Sequence, residues 1–172
     1  ALADRIDHEL GLRLGPVAHL AALLHDVGKI ALSAVAPQAY RSVLVAAWST
    51  RAELPALEEA WLGLDHREAG WIVGQEADLA PLILSVIAHH DAPERAPEDH
   101  RLLVAAVAVA NRLARAHGLG FSGNGAPVTD TLAEGPEWRA LEEAAGRGFD
   151  ARALEELCVT DWLPPIRAEL RA

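Results

Sequence analysis

The sequence of 172 residues contains no Met and a single cysteine, Cys158. Lacking a start codon of its own, it is expected to be a piece of a longer or processed protein. One cysteine excludes an intrachain disulfide framework. There is no secretory signal pattern, and both absences agree with a reducing, cytoplasmic setting. No basic run interrupts a net charge of −10. The positive patch that exchanges counterions with phosphates in nucleic-acid binders is therefore missing, and an acidic surface repels anionic lipid headgroups. No apolar run reaches the roughly 18–20 residues that cross a membrane; the longest, from Leu102 to Ala110, reads as a buried helix. Neither nucleic acid nor a membrane is the expected partner.

Aromatics are only 5% of the chain, mostly the tryptophans at positions 48, 61, 71, 138 and 162, so the core must pack through aliphatic side chains. Period-two alternation and internal repeats are absent. What remains is a composition 51% hydrophobic and rich in Ala and Leu, which favours helix over sheet. The chain is long enough to bury a sizeable core, and the reading is all-α, a single helical bundle over residues 1–172 with one core.

The punctuation divides it into helices. Leu2, Ile6 and Leu10 mark a face that ends at Gly11. Gly15-Pro16 opens a second helix, apolar nearly all round from Val17 to Val27. One of its faces carries Leu20, Leu23, Leu24 and Val27, and the opposite one Ala18, Ala21, Ala22 and His25; such a helix is expected at the centre of a bundle. Further helices are expected over 37–48 and 52–62, from His66 to Gln75 with Asp65 as cap, and from Pro81 to His90. Asp91-Ala92-Pro93 stops that last helix, and Asp99 is expected to cap the next. Residues 118–136 read as a loop, followed by amphipathic helices over 137–146 and 150–158 and a last one after Pro164-Pro165.

The chemistry sits in a few of these helices. His25 and Asp26 lie side by side at the buried end of an apolar helix, an expensive position unless something pairs with them. His66 opens another helix, and His90 continues the apolar stripe of Leu79, Leu82, Ile83, Val86 and Ile87, with His89 beside it. Imidazole and carboxylate together suit Fe, Mn, Ni or Zn. Two such ions about 3.5–4 Å apart polarise a phosphoryl oxygen and activate water. A lone histidine on an apolar face is ordinarily a satisfied core residue, and the histidines could also simply satisfy one another; the set of four or five is harder to explain that way. His8, His19, His100 and His117 read as surface or structural. The stretch from Gly118 to Gly123 fits G-x-G-x-x-G but follows a helix, with no strand to set up a dinucleotide site; it reads better as a loop over the mouth of the His cluster.

Leu23-Leu24-His25-Asp26-Val27-Gly28-Lys29 resembles the signature of the HD superfamily of metal-dependent phosphohydrolases. Glu59, the run from Gly63 to Gly70, the run from Ile87 to Pro93 and the run from Val109 to Ala114 bring the likeness closer to its HDOD branch. The resemblance covers about residues 1–125 and leaves 137–172 as additional helices. It implies a bundle of the HD type, with His25 and Asp26 as metal ligands. His66, His89 and His90 match further ligands in the related HD-GYP phosphodiesterases. Lys29 matches a lysine that contacts phosphate in some members, although here it could instead pair with Asp26.

Three departures weigh against catalysis. The earliest ligand of the catalytic families lies upstream of Ala1; Asn111 stands where their last ligand is an aspartate, which lowers the expected affinity for a cation; and Asp91-Ala92-Pro93 replaces the Gly-Tyr-Pro tripeptide. The resemblance thus implies a bacterial signal-transduction domain, non-catalytic or weakly catalytic, that contacts other signalling domains or proteins and holds a divalent transition metal or none. The alternative is a phosphohydrolase acting on a nucleotide or cyclic dinucleotide.

Overall fold

The computed structural model describes residues 2–120 and 122–169, and no strand occurs among them. The helices are α1 (Leu2–Leu10), α2 (Pro16–Leu24), α3 (Val27–Val35), α4 (Pro37–Thr50), α5 (Leu54–Leu62), α6 (His66–Glu76), α7 (Pro81–His89), α8 (Arg101–Ala116), α9 (Pro136–Ala145), α10 (Ala151–Leu157) and α11 (Leu163–Glu169). The fold is all-α, as composition and periodicity predict.

The centre of the bundle is α8, buried from Leu103 to Ala110 and again at Arg112 and Leu113. Helices α1, α2, α7 and α9 pack around it. Its small side chains let neighbours approach closely, which is how a chain poor in aromatics reaches interior density. Arg112 is buried too, and its guanidinium donates to the carbonyls of Asp130 and Thr131, pinning the segment before α9. A smaller apolar cluster, Leu32, Tyr40, Val43, Ala47, Leu54 and Ala69, lies between α3, α4, α5 and α6. The core is therefore divided in two, where the sequence pattern indicates one.

Several boundaries differ from the sequence reading. The run from Pro16 is not one central helix: it breaks at His25-Asp26, and α3 follows as a separate helix. The buried face of α2 is Ala18 and Ala21, while Leu20 and Leu23 are 47% and 71% exposed. The alanines face inward, where α2 packs against α1, α7 and α8. The combined stretch Pro16–Val35 is long and apolar enough, by length and composition, to cross a membrane, contrary to the count of continuous apolar residues; 22% of its most apolar 18-residue window is buried inside the protein. Asp26 and Lys29 interrupt it, and both are tied into the site described below. At α8 the N-cap position is His100 without a side-chain cap bond, and Asp99 instead pairs with His100. Helix α11 begins at Leu163, with Pro164 and Pro165 following directly. A π-helical turn, Cys158–Trp162, joins it to α10.

Candidate metal centre

Three backbone features bring distant residues to one place. The break between α2 and α3 leaves His25 at the C-cap of one helix and Asp26 at the N-cap of the next. Asp65 caps α6 by accepting from the N–H groups of Arg67 and Glu68, at 2.8 and 3.1 Å, and so holds His66 at the first helical position. Helix α7 ends at His89, with His90 as its C-cap. Helices α3 and α6 meet with almost no space between them. A Cβ on Gly28 would lie 1.8 Å from the His66 carbonyl oxygen and 2.6 Å from the Gly70 nitrogen. The glycine of His-Asp-Val-Gly-Lys is thus what allows Asp26 to reach His66.

The imidazoles share one hydrogen-bonding pattern. His25 Nδ1 lies 2.7 Å from the Ala22 carbonyl, and His90 Nδ1 lies 3.1 Å from that of Ile87. His66 Nδ1 lies 2.5 Å from Oε2 of Glu58. Each Nδ1–H donated to these acceptors leaves Nε2 as the free lone pair, the arrangement that fixes metal-binding histidines. The three Nε2 atoms converge on Asp26: His25 at 3.3 Å from Oδ2, His66 and His90 at 3.6 and 3.5 Å from Oδ1. His25 Nε2, His66 Nε2 and Asp26 Oδ1 are buried with no hydrogen-bond partner. Orphaned buried polar atoms are costly, and three around one point fit a cation that would satisfy them all.

The same surroundings set the charges: burial keeps His90 neutral, while Asp26 favours the protonated form of His25, whose proton a cation would displace. Burial would raise the Asp26 carboxyl, but His25, Lys29 and His90 overcome it and hold it far below the usual carboxylate range. Burial likewise acts to lower His25, and Asp26 outweighs it, so His25 is raised. His90 is pushed down to about 4, chiefly by burial, with Asp91 opposing; it stays neutral and available as a ligand at ordinary pH. Glu58 is fully buried. Burial would raise its carboxyl, yet the hydrogen bond and charge of His66 bring it below its ordinary value.

Of the sequence-predicted residues, His25, Asp26, His66 and His90 come together. His89 turns away into a separate cavity of about 500 Å³, lined by Arg67, Trp71 and Arg95, because consecutive helical residues point about 100° apart. Asn111 lines a cavity of about 540 Å³ that it shares with His25 and Arg5. Lys29 donates to Asp26 Oδ2 at 2.7 Å and to the Ser122 carbonyl at 2.9 Å, which also ties the 118–126 loop to the site. Sequence reasoning singled out Glu59, which is exposed, and missed Glu58 and Tyr40. The signal for Glu58 was its place midway between Leu54 and Leu62, on the buried stripe of α5.

A helical bundle with a histidine–aspartate cluster at a helix break defines the class, an all-α domain of the HD type. The chain belongs to the HDOD domain family, whose model matches residues 1–93. It is similar to the crystal structure of an HDOD domain protein of unknown function from Geobacter sulfurreducens. The TM-score is 0.86 and the identity 26%, over 98% of this chain and 57% of that one. The chain spans a little more than half the length of that protein, and the likeness extends past residue 93 into α8 and the C-terminal helices. No curated protein matches the sequence.

Proposed function

We propose that the chain is a signal-transduction module of a bacterial protein that works through protein contacts, with one divalent transition metal ion held in the His-Asp cluster. The convergence of three oriented Nε2 atoms on Asp26, with buried atoms left unsatisfied, carries the metal part of this reading. His25, Asp26, His66 and His90 would hold the ion, and Mn, Fe, Ni or Zn suits the donor set. Such an ion would supply Lewis-acid polarisation; in this reading its main effect is to fasten α2, α3, α6 and α7 to one another.

Two observations favour contact over turnover. Lys29 is occupied by Asp26 and Ser122, so it is not free to meet a phosphate. Leu20, Leu23, Ile30 and Val35 are exposed along α2 and α3, next to the cluster in sequence, as surfaces that meet partners often are. The second reading, a metal-dependent phosphohydrolase acting on a nucleotide or cyclic dinucleotide, is favoured by the cavity that reaches His25 and Asn111 with Arg5 in its wall. The deciding experiment is hydrolysis of phosphomonoesters and cyclic dinucleotides by the metal-loaded full-length protein. The regulatory reading expects no turnover; robust hydrolysis that disappears in His25→Ala would replace it with the second.

A further inference from the structure

We infer that Asp91 is a ligand of this centre and carries the carboxylate charge that Asn111 lacks. The inference rests on the reading of the cluster as a metal site. Its own support is the position of the Asp91 carboxylate: Oδ1 lies 3.6 Å from His90 Nε2, and Oδ2 lies 3.9 Å from His66 Nε2. Neither is a hydrogen-bonding distance. Both fit two donors bound to a common ion, since bonds of about 2.0–2.2 Å place such donors roughly 3–4 Å apart.

His66, His90 and Asp91 form one triad of donor atoms, and His25, Asp26 and His90 another, in each case with all atoms within 4.8 Å of one another. His90 belongs to both, and Asp26 Oδ1 faces His66 as well as His90. The cluster is thus continuous from the α2–α3 break to the end of α7.

The backbone explains how Asp91 arrives there. Helix α7 cannot continue into Pro93, and the turn that replaces it closes with Ala92 N–H donating to the His89 carbonyl at 2.9 Å. That turn leaves the Asp91 carboxylate near Nε2 of both His66 and His90, and Asp91 does not line the cavity where Asn111 sits. Asp91 would bring a second carboxylate to a divalent ion beside Asp26, whose own charge Lys29 partly offsets. The aspartate absent from α8 is in this way made good from α7.

The test uses the whole chain, stripped with chelator and titrated with Mn²⁺ and, for its visible absorption, with Co²⁺. Asp91→Asn is expected to weaken Mn²⁺ binding at least tenfold and to shift the Co²⁺ spectrum. Asn111→Ala is expected to leave both near wild type. Asp91→Glu is expected to recover part of the affinity, which a loss of folding would not allow, and melting in chelator checks the fold of each variant. An Asp91→Asn protein that binds Mn²⁺ as wild type does, with an unchanged Co²⁺ spectrum, would overturn the role of Asp91 and leave the cluster intact. A wild-type protein that binds neither ion would overturn the cluster and the inference together.

Discussion

The Glu58 carboxylate and the His66 imidazole form a buried pair 2.5 Å apart, with Glu58 Oε2 also accepting from the His66 backbone N–H at 2.9 Å. Tyr40 donates to the other oxygen at 2.8 Å. One carboxylate therefore joins the smaller apolar cluster, through Tyr40, to the histidine centre. A carboxylate removed from such a setting leaves three donors unsatisfied. Glu58→Ala is expected to cost about 3–5 kcal/mol, and Tyr40→Phe, which removes one hydrogen bond, about 1 kcal/mol. Urea denaturation in chelator measures both. A Glu58→Ala protein as stable as wild type would show that the pair only tolerates its burial.

Gly28→Ala should be among the most damaging single-methyl changes in the chain. The added carbon meets the backbone of His66 and Gly70, at 1.8 and 2.6 Å, and backbone in two packed helices cannot step aside as a side-chain end can. Overpacking typically costs about 1–3 kcal/mol, and contacts this short place Gly28→Ala at or above the top of that range. Gly70→Ala meets Ile87 Cγ2 at 2.7 Å and the Gly28 backbone no closer than 3.1 Å, so its severest clash is with a side chain and it should cost less. Melting temperatures of the two variants check the order. Because α3 carries Asp26 and α6 carries His66, Gly28→Ala should also weaken Mn²⁺ binding beyond its effect on stability.

These two sites mark how far the sequence could be read. Helical periodicity and Pro/Gly punctuation located nearly every helix, and the His-Asp motif located the centre, because both are local patterns. The break at His25-Asp26 was hidden, since Val27 to Val35 continues the apolar run without Pro and the one cap residue, Asp26, was read as a metal ligand and makes no side-chain cap bond. The leucine face of α2, expected to be buried with the rest of a helix apolar nearly all round, is exposed at Leu20 and Leu23, and the alanine face meets the core instead. Glu58 and Asp91 acquire meaning only through partners on other helices. Glu58 is eight residues from His66 but on a separate helix, and Asp91 depends on the turn before Pro93. Periodicity did place His90 on the apolar stripe of α7, but the resemblance put His89 in the ligand set as well, and only the phase of α7 against its neighbours separates the two.

The chelated protein should lose stability as the pH falls from about 6.5 to 4. An unfolded histidine takes up a proton near 6.5, whereas burial pushes His90 down to about 4. Between these values the unfolded state binds the extra proton, so stability drops by up to about 1.4 kcal/mol per pH unit. His25 acts in the opposite direction: its pKa is raised by Asp26, so its contribution is full below 6.5 and fades as the pH rises through its folded value. Asp26 and Glu58, both held below the carboxylate range, give up their stabilisation only below about 4. The decline between 6.5 and 4 thus belongs chiefly to the fully buried His90, with a further part from His89, which burial and Arg67 also lower, and in His90→Asn it should become shallower. Urea midpoints measured across this range for both proteins check the assignment; parallel curves would remove it.

Lys29→Met separates two roles for the signature lysine. In the folded protein its ammonium group lies 2.7 Å from Asp26 Oδ2, where it neutralises a carboxylate that a metal ion would also claim. Like charges compete for one carboxylate, so the variant should bind Mn²⁺ several-fold more tightly than wild type, although it loses about 1 kcal/mol of stability in chelator. It should also release the Ser122 carbonyl, and amide exchange in residues 122–126 should quicken while α6 and α7 stay protected. A lysine reserved for phosphate would give a different result, with Mn²⁺ affinity and loop exchange unchanged and only turnover reduced. The two outcomes are read by calorimetry and hydrogen exchange, without a substrate. Tighter Mn²⁺ binding by Lys29→Met would mean that the lysine acts on the cluster as a competing cation, with its hold on the loop set against the hold of a metal on Asp26.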